Sequence, residues 1–215
     1  MLKIKYKLYL ILFLISLANI FAQKEQSIQL NAGILYPRSA SNGFSTFLKY
    51  NYQLNKTFNL YLYTGYSSWN KFYIQKVNYD RKDKLYTTYS SDKHVLIPIY
   101  IGTKINFHTN KLFTSFFEFE AGYSHLSYNS YENHPVFDED NGEIISYKVD
   151  KRSRKKINSN LYGIGIGLGI SHPLTQTLKV IIGYKLNSNF NSGDFGLFSA
   201  KGTYATLYVG LNFHI

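Results

Sequence analysis

The stretch His94–Phe107 alternates between apolar and mixed positions along its whole length. Its odd-numbered positions are apolar apart from Thr103, whereas its even-numbered positions include Pro98, Gly102 and Lys104. A β-strand points successive side chains to opposite faces, so the alternation predicts a strand with one apolar wall and one mixed wall. The apolar wall is long enough for a tilted transmembrane strand, which needs about 9–11 residues.

The same alternation recurs along the chain and predicts eight strands in total. Short connections follow the second, fourth and sixth segments, and longer connections follow the others. This phase is typical of barrels with short periplasmic turns, long extracellular loops and an even strand number. The sequence therefore predicts an all-β fold, an eight-stranded antiparallel up-and-down transmembrane β-barrel. The predicted strands are 28–36, 48–54, 58–67, 94–107, 113–124, 162–170, 178–187 and 204–215.

The first 22 residues differ from the rest of the chain. A basic start with Lys3, Lys5 and Lys7 precedes an apolar run, which ends at the small residue Ala22. This order is typical of a secretory signal peptide, and the run is short for a transmembrane helix. We therefore expect a cleaved signal peptide over residues 1–22 and a barrel domain over residues 23–215.

The mixed faces of the predicted strands carry charges that suit a polar barrel lumen. A soluble β-sandwich or a lipocalin-like barrel is the alternative, but its inward face would be the apolar one. Opposite charges on the mixed faces are expected to pair inside a membrane barrel. The predicted lumen charge network consists of Lys49, Lys104, Glu118, Glu120, Lys179 and Lys185.

Glycine and proline residues affect how these strands pack. The sixth predicted strand has glycine at every second position over residues 163–169. Pro98 lies inside the fourth strand, where its missing N–H predicts a bulge or a carbonyl bonded to lumen water. Because an eight-stranded lumen is narrow, the glycines are expected to leave room for the rings of Tyr61, Tyr63, Tyr100 or Tyr208.

Three segments carry a resemblance to a known family: IPIYI at 97–101, YGIGIGLGI at 162–170 and LYVGLNFHI at 207–215. With these segments the mature chain resembles the small outer-membrane β-barrel proteins of Gram-negative bacteria, which have a porin-like, OmpA/OmpX-type fold. The resemblance implies a location in the outer membrane, contact with outer-membrane lipid and lipopolysaccharide, and insertion by the barrel-assembly machinery. It also implies a monomer, but it does not indicate a ligand.

The connection over residues 125–160 is long, and long loops are often functional. We expect a hairpin that continues the barrel wall, with its turn near Asp140-Asn141-Gly142, because Asn-Gly favours such turns. Its descending half is basic, and we expect the cluster to bind lipopolysaccharide phosphates or another anionic surface glycan. The alternative is a solvated loop paired with its own acidic tip. The predicted binding residues are Arg152, Arg154, Lys155 and Lys156.

Two other functions stay open as alternatives to a structural or cell-surface binding protein. His125 and Ser127 resemble the His-x-Ser core of outer-membrane lipid A deacylases, in which a His activates a Ser nucleophile. They are weak catalytic candidates, because the family's flanking residues are replaced by Tyr128 and Asn129. A small channel is the other alternative, although eight strands enclose mainly packed side chains. We therefore expect no enzymatic activity.

The sequence indicates neither a metal nor a cofactor. In the acidic stretch DEDNGE, Gly142 comes one residue too early for an EF-hand loop, and Val149 stands where the closing Glu would be. The chain has no Cys that could form disulfides or thiolate sites. The net charge of +11 could suit nucleic acid, but export to the cell surface argues against that partner.

Overall fold

The computed structural model describes residues 25–38, 40–73, 89–110, 112–140, 142, 144–190 and 202–215. The predicted signal peptide over residues 1–22 lies outside these ranges. Within them, no helix has the length and apolar character needed to cross a membrane. The strands are β1 Gln26–Pro37, β2 Gly43–Gln53, β3 Phe58–Tyr73, β4 Tyr89–Thr109, β5 Thr114–Phe137, β6 Ile144–Pro173, β7 Leu178–Asn189 and β8 Thr203–His214.

The eight strands form one closed barrel in which every strand pairs with its neighbours in sequence order. All pairs are antiparallel, and β1 closes the ring against β8, with Ile28 opposite Phe213. Closure leaves no free sheet edge, so the ladder groups of the backbone are paired within the barrel. The predicted eight-stranded antiparallel up-and-down barrel is confirmed.

The apolar walls of the strands point outward and the mixed walls point inward. On β4, Ile101 is 65% exposed on the outside, whereas Tyr100 is fully buried inside. On β8, Val209 is 58% exposed and Tyr208 is buried. A soluble barrel would show the opposite arrangement, so the soluble alternative is wrong. The apolar exterior requires a lipid surround. In β4 the exposed apolar side chains run from Ile97 to Phe107, and we take this stretch as the membrane-spanning part.

The strands on one side of the barrel are much longer than a membrane crossing requires. β5 has 24 residues and β6 has 30 residues, which is far more than the predicted strands. They pair from Thr114 opposite Ser171 out to Phe137 opposite Ile144. The predicted hairpin that continues the barrel wall is confirmed. Its turn lies where expected, and Gly142 takes a φ of +69° there, a left-handed conformation that glycine adopts without strain.

Pro98 lies in a regular part of β4, so the predicted bulge is wrong. The register between β3 and β4 is the same on both sides of Pro98, with Thr64 opposite Ile99 and Ser67 opposite Leu96. The ladder omits the two pairs in between, which include Pro98. The missing N–H is therefore accommodated by a local gap in the ladder and not by an inserted residue.

Candidate functional site

The centre of the lumen holds a buried ion pair between two strands that are not neighbours in the barrel. Lys49 on β2 donates from Nζ to both carboxylate oxygens of Glu118 on β5, at 2.6 Å each. The ammonium also lies 4.4 Å from the centre of the Tyr61 ring. Both charged side chains are almost completely shielded from solvent, so the pair is held in a low-dielectric interior.

A second buried pair lies beside the first. Lys185 on β7 donates to Glu120 Oε2 at 2.7 Å. The same carboxylate accepts hydrogen bonds from Asn187 at 2.7 Å and from the Tyr61 hydroxyl at 2.9 Å. Lys185 Nζ also lies 4.0 Å from the centre of the Tyr63 ring. The structure thus brings four of the six predicted network residues together as two ion pairs with further donors around them.

Aromatic rings fill the lumen around these charges. The Phe47 ring packs edge-to-face against Tyr63 and Tyr208, with centroids 5.2 Å and 5.0 Å away. Inward-facing glycines make room for the rings: a side chain at Gly183 would collide with Tyr208, and one at Gly163 would meet the Tyr100 hydroxyl. Because these rings and the paired charges have almost no solvent-accessible surface, this layer leaves no passage for a metabolite.

The other two network residues, Lys104 and Lys179, lie nearer the end of the barrel with the short turns. Lys104 is buried, and its Nζ lies 5.3 Å from the centre of the Phe116 ring. Lys179 is half-buried. Both line a cavity of about 270 Å³ at this end, which corresponds to the periplasmic end of such barrels. Neither lysine forms an ion pair with a carboxylate in the described part of the chain.

At the opposite end, the long hairpin places the predicted basic cluster on β6. Arg154 donates from Nε to the Asn129 side-chain oxygen at 3.2 Å. Asn129 in turn donates to Asp92 on β4 at 3.0 Å, and the Tyr131 hydroxyl contacts both Asp92 oxygens at 3.2 Å. Lys156 pairs directly opposite Asn129. Arg154 and Lys156 therefore share the face of this network, which continues the outward face of the barrel wall.

The remaining cluster residues are exposed. Lys155 lies opposite Ser130 on the other face of β6. Arg152 lies in the irregular stretch of β6 between Asp150 and Lys155, and its N–H donates to Asp150 Oδ1 at 2.8 Å. The described side chains provide no ion-pair partner for Arg152, Lys155 or Lys156.

The acidic residues at the turn of the hairpin, Asp138, Glu139 and Asp140, lie far from the basic cluster. The tip follows the end of β5 at Phe137, whereas Lys155 pairs with Ser130. A strand rises about 3.3 Å per residue, so roughly 25 Å separate the two regions along the hairpin. Asp138, Glu139 and Asp140 are therefore too distant to pair with the cluster. Glu132 lies much nearer, because it pairs with Asp150 and its N–H donates to Ser153 Oγ at 2.7 Å.

His125 and Ser127 lie on the outward face of β5, and no hydrogen bond joins them within the described residues. The His125 Nδ1 atom is 3.2 Å from Asn160 Oδ1, an oxygen that also accepts from the Tyr123 hydroxyl at 2.7 Å. Among the same residues, no carboxylate contacts the His125 ring. The structure does not bring the two weak catalytic candidates together as a base and nucleophile.

The structure also contains residues that the sequence reasoning did not single out. At the extracellular mouth, His94 lies between the rings of Trp69 and Tyr128, with centroids 5.0 Å and 4.7 Å away. Asp92 and Asn129 hold Arg154, although both lie in segments without a clear alternation. No sequence signal marks these partners, because only the register between strands places them together. Within the described ranges, no group of three or more His, Asp or Glu side chains could hold a metal ion.

Solved barrel structures share this fold. Neisserial surface protein A aligns with a TM-score of 0.53 and 17% identity, over 87% of this chain and 96% of that chain. A major outer membrane protein from Thermus thermophilus gives 0.52 and 13%, over 88% and 99%. Ail, the attachment invasion locus protein of Yersinia pestis, in complex with the heparin analogue sucrose octasulfate, gives 0.50 and 10%, over 89% and 99%. No family model and no curated protein matches the chain.

These likenesses concern the fold, because the sequence identities are 17% or lower. Together with the closed ring and the apolar exterior, they confirm the resemblance to small outer-membrane β-barrels. The fold is that of an outer-membrane barrel protein with eight strands.

Proposed function

We propose that the protein is a cell-surface binding protein of the outer membrane, whose long hairpin contacts the phosphates of lipopolysaccharide or another anionic surface glycan. The observation that carries the proposal is the position of Arg154. Its Nε bonds to Asn129, which Asp92 holds in turn. A guanidinium held in this way loses less conformational entropy when it binds a phosphate, and its further N–H groups are suitable donors.

The neighbouring cations support the same ligand class. Lys156 shares the outward face with Arg154, and the exposed Lys155 and Arg152 lie within two residues of Arg154 on the same strand. The acidic tip lies roughly 25 Å further along the hairpin by strand geometry, so it does not neutralise them. Three carboxylates lie closer to the cluster: Asp150 accepts from the Arg152 N–H, Glu132 lies opposite Asp150, and Asp92 holds Asn129. The four cations outnumber these three acids, so an anion at this position would meet a net positive charge.

The height of the cluster indicates which part of a surface glycolipid it would meet. Tyr162, an outward ring typical of the membrane interface, lies six residues below Lys156 on β6, or about 20 Å along the strand. Asn158 and Asn160 occupy the outward positions in between. We therefore infer contact with anionic groups in the sugar region above the hydrocarbon layer, reached sideways from the barrel wall.

This function needs no catalytic residue. In the proposal His125 belongs to the polar outward surface, where it contacts Asn160, and Ser127 does not act as a nucleophile. An assay for lipid A deacylation by the purified protein provides a separate check. Release of a fatty acid by wild type, with loss of that activity in Ser127→Ala, would favour the hydrolase alternative.

The test of the binding proposal is a titration of the purified, detergent-folded barrel with lipopolysaccharide at increasing salt. A variant with Arg152, Arg154, Lys155 and Lys156 all changed to Ser should bind much more weakly than wild type at low salt, where screening is weakest. Sucrose octasulfate is a suitable soluble competitor. Equal binding by the variant and wild type would contradict the proposal.

A matched pair of single substitutions separates position from charge. Lys156→Ser removes a cation beside Arg154, whereas Lys148→Ser removes one opposite His134, nearer the tip. We expect the first change to weaken binding more than the second. An equal loss from both would indicate general attraction to a basic surface and not a defined site.

A further inference from the structure

The cavity at the periplasmic end differs from the rest of the lumen because its charges are not balanced. Its walls come from the ends of the strands beside the short turns, and its volume is about 270 Å³. Among the described residues, and apart from His214, the charged side chains that line it are Lys56, Lys104 and Lys179, with a single carboxylate, Glu25. The lining is therefore net positive, whereas the ion-pair layer above it is neutral.

Lys104 is the deepest of these cations. It is 92% buried, since only 8% of its surface is exposed. Glu118 lies directly opposite Lys104 in the β4–β5 ladder, but both of its carboxylate oxygens already accept short hydrogen bonds from Lys49. Within the described ranges, Lys104 Nζ has no hydrogen-bond acceptor. A buried charge without an ion pair of its own is costly, so an anion that reached Lys104 from the cavity would be bound favourably.

Polar side chains without a formal charge at neutral pH line the same space, and the Asn51 amide nitrogen supplies a donor there. Asn51 is 97% buried, and neither its side-chain nitrogen nor its oxygen has a hydrogen-bond partner among the described residues. The same is true of Asn212 Oδ1 and His214 Nε2, and all three side chains line the cavity. Native proteins satisfy the large majority of buried polar groups. An oxyanion with several acceptor oxygens could pair with the Asn51 amide and the lysines at once.

Lys179 completes the positive wall from β7. It pairs with Asn212 on β8, two residues from His214, and it lines the same cavity as Lys104. Like charges held close together repel, and a doubly charged anion between them would remove that repulsion. Glu25 contributes one negative charge to the lining. One negative charge does not balance the three positive charges of the lysines.

We propose that this cavity binds a small, doubly charged oxyanion of the phosphate class that enters from the periplasm. The floor of the cavity excludes passage through the barrel, since Ile181 lines it, Phe116 contacts Lys104, and both are buried below the ion-pair layer. The closed strand wall separates the cavity from lipid headgroups, so the source of the anion is soluble. Free phosphate or a small phosphomonoester fits the volume and the donor set.

The experiment is a calorimetric titration of the folded barrel in detergent with inorganic phosphate, and with succinate as a dicarboxylate of equal charge. Wild type should show saturable phosphate binding and weaker succinate binding. Lys104→Gln and Lys179→Gln should each bind phosphate about tenfold more weakly, because each removes a charge-assisted hydrogen bond. Lys148→Gln, an exposed lysine on the hairpin, is the matched control and should bind like wild type.

Two further variants keep the test decisive. If Lys104→Gln does not fold, Asn51→Asp serves in its place: it is nearly isosteric, places a negative charge in the cavity and should abolish binding. The hairpin variant with four Ser substitutions should retain phosphate binding, so this site and the surface glycan site can fail independently. No saturable binding by wild type, tighter binding of succinate than of phosphate, or unchanged binding by Lys104→Gln and Lys179→Gln would overturn the proposal.

Discussion

Lys49 donates to both carboxylate oxygens of Glu118 at 2.6 Å, and the two side chains are 0% and 1% exposed. The residues lie on β2 and β5, which do not pair in the sheet. The contact therefore crosses the lumen and ties opposite walls of the barrel together. Because both charges have left water, each depends on the other for its stabilisation.

Glu118→Gln should destabilise the barrel, because it leaves the Lys49 ammonium buried beside a neutral amide. Removing one partner of a buried pair costs about 3–5 kcal/mol. Urea unfolding in detergent, followed by the loss of strand signal, measures the free energy of unfolding. The exposed Glu139→Gln is the control, and we expect a change within about 0.5 kcal/mol for it. If Glu118→Gln unfolds at the same urea concentration as wild type, the ion pair is dispensable.

Val209→Lys should impair membrane insertion. Val209 faces outward in β8, between Ala32 on β1 and Ile182 on β7, and a lysine near mid-membrane on this face costs about 2–4 kcal/mol. Asn212→Lys is the matched control, because Asn212 faces inward and lines the polar cavity. The folded fraction in lipid vesicles, measured by heat-modifiable gel mobility, should fall more for Val209→Lys. Equal effects would contradict the assignment of the two faces.

The sequence predicts the number of strands and their two faces because an alternation of period two is a local signal. This signal alone predicts that Tyr100 points into the lumen and that Ile101 points outward. The same signal places Lys49, Lys104, Glu118 and Glu120 in the lumen. It does not indicate that Glu118 pairs with Lys49 while Lys104 is left beside a cavity, since that choice depends on how strands far apart in sequence are staggered around the barrel.

The part of the barrel above the membrane is harder to predict for a different reason. Both faces of β5 and β6 meet solvent there, so no apolar alternation marks the strands. The contact of Arg154 with Asn129, and of Asn129 with Asp92, follows from strand register and from a bulge between Ser130 and Glu132. Pro98 shows a related limit, because a propensity rule predicts a bulge whereas the ladder simply omits two pairs.

Gly183→Ala should destabilise the barrel through a clash with one ring. A Cβ at this position would collide with the Tyr208 ring from β8, and overpacking of this kind costs about 1–3 kcal/mol. In a Tyr208→Leu background the same change should cost much less, and urea unfolding of the four proteins gives the coupling free energy.

Gly167→Ala is the control for this prediction. The nearest atom to its added Cβ would be the Tyr184 carbonyl oxygen at 3.2 Å, so a small shift accommodates it. We expect a smaller loss of stability than for Gly183→Ala. Additive effects of Gly183→Ala and Tyr208→Leu would show that the glycine is not needed to admit the ring.

Trp69 should report the protonation of His94 at the extracellular mouth, three residues beyond the membrane-spanning part of β4. Burial lowers the pKa of His94 from 6.5 to about 4, with nearby Asp92 opposing the shift. The unfolded chain therefore binds this proton at higher pH than the folded barrel does, so stability falls as pH decreases from about 6.5 towards 4.

Trp69 is the sole tryptophan of the sequence, and its ring stacks on His94 at 5.0 Å. Because an imidazolium quenches a stacked indole, tryptophan fluorescence should drop with a midpoint near pH 4. His94→Gln should abolish this transition, and His134→Gln, on the exposed hairpin, should leave it unchanged. A midpoint near pH 6.5, the ordinary value for histidine, would show that His94 is solvated at the mouth.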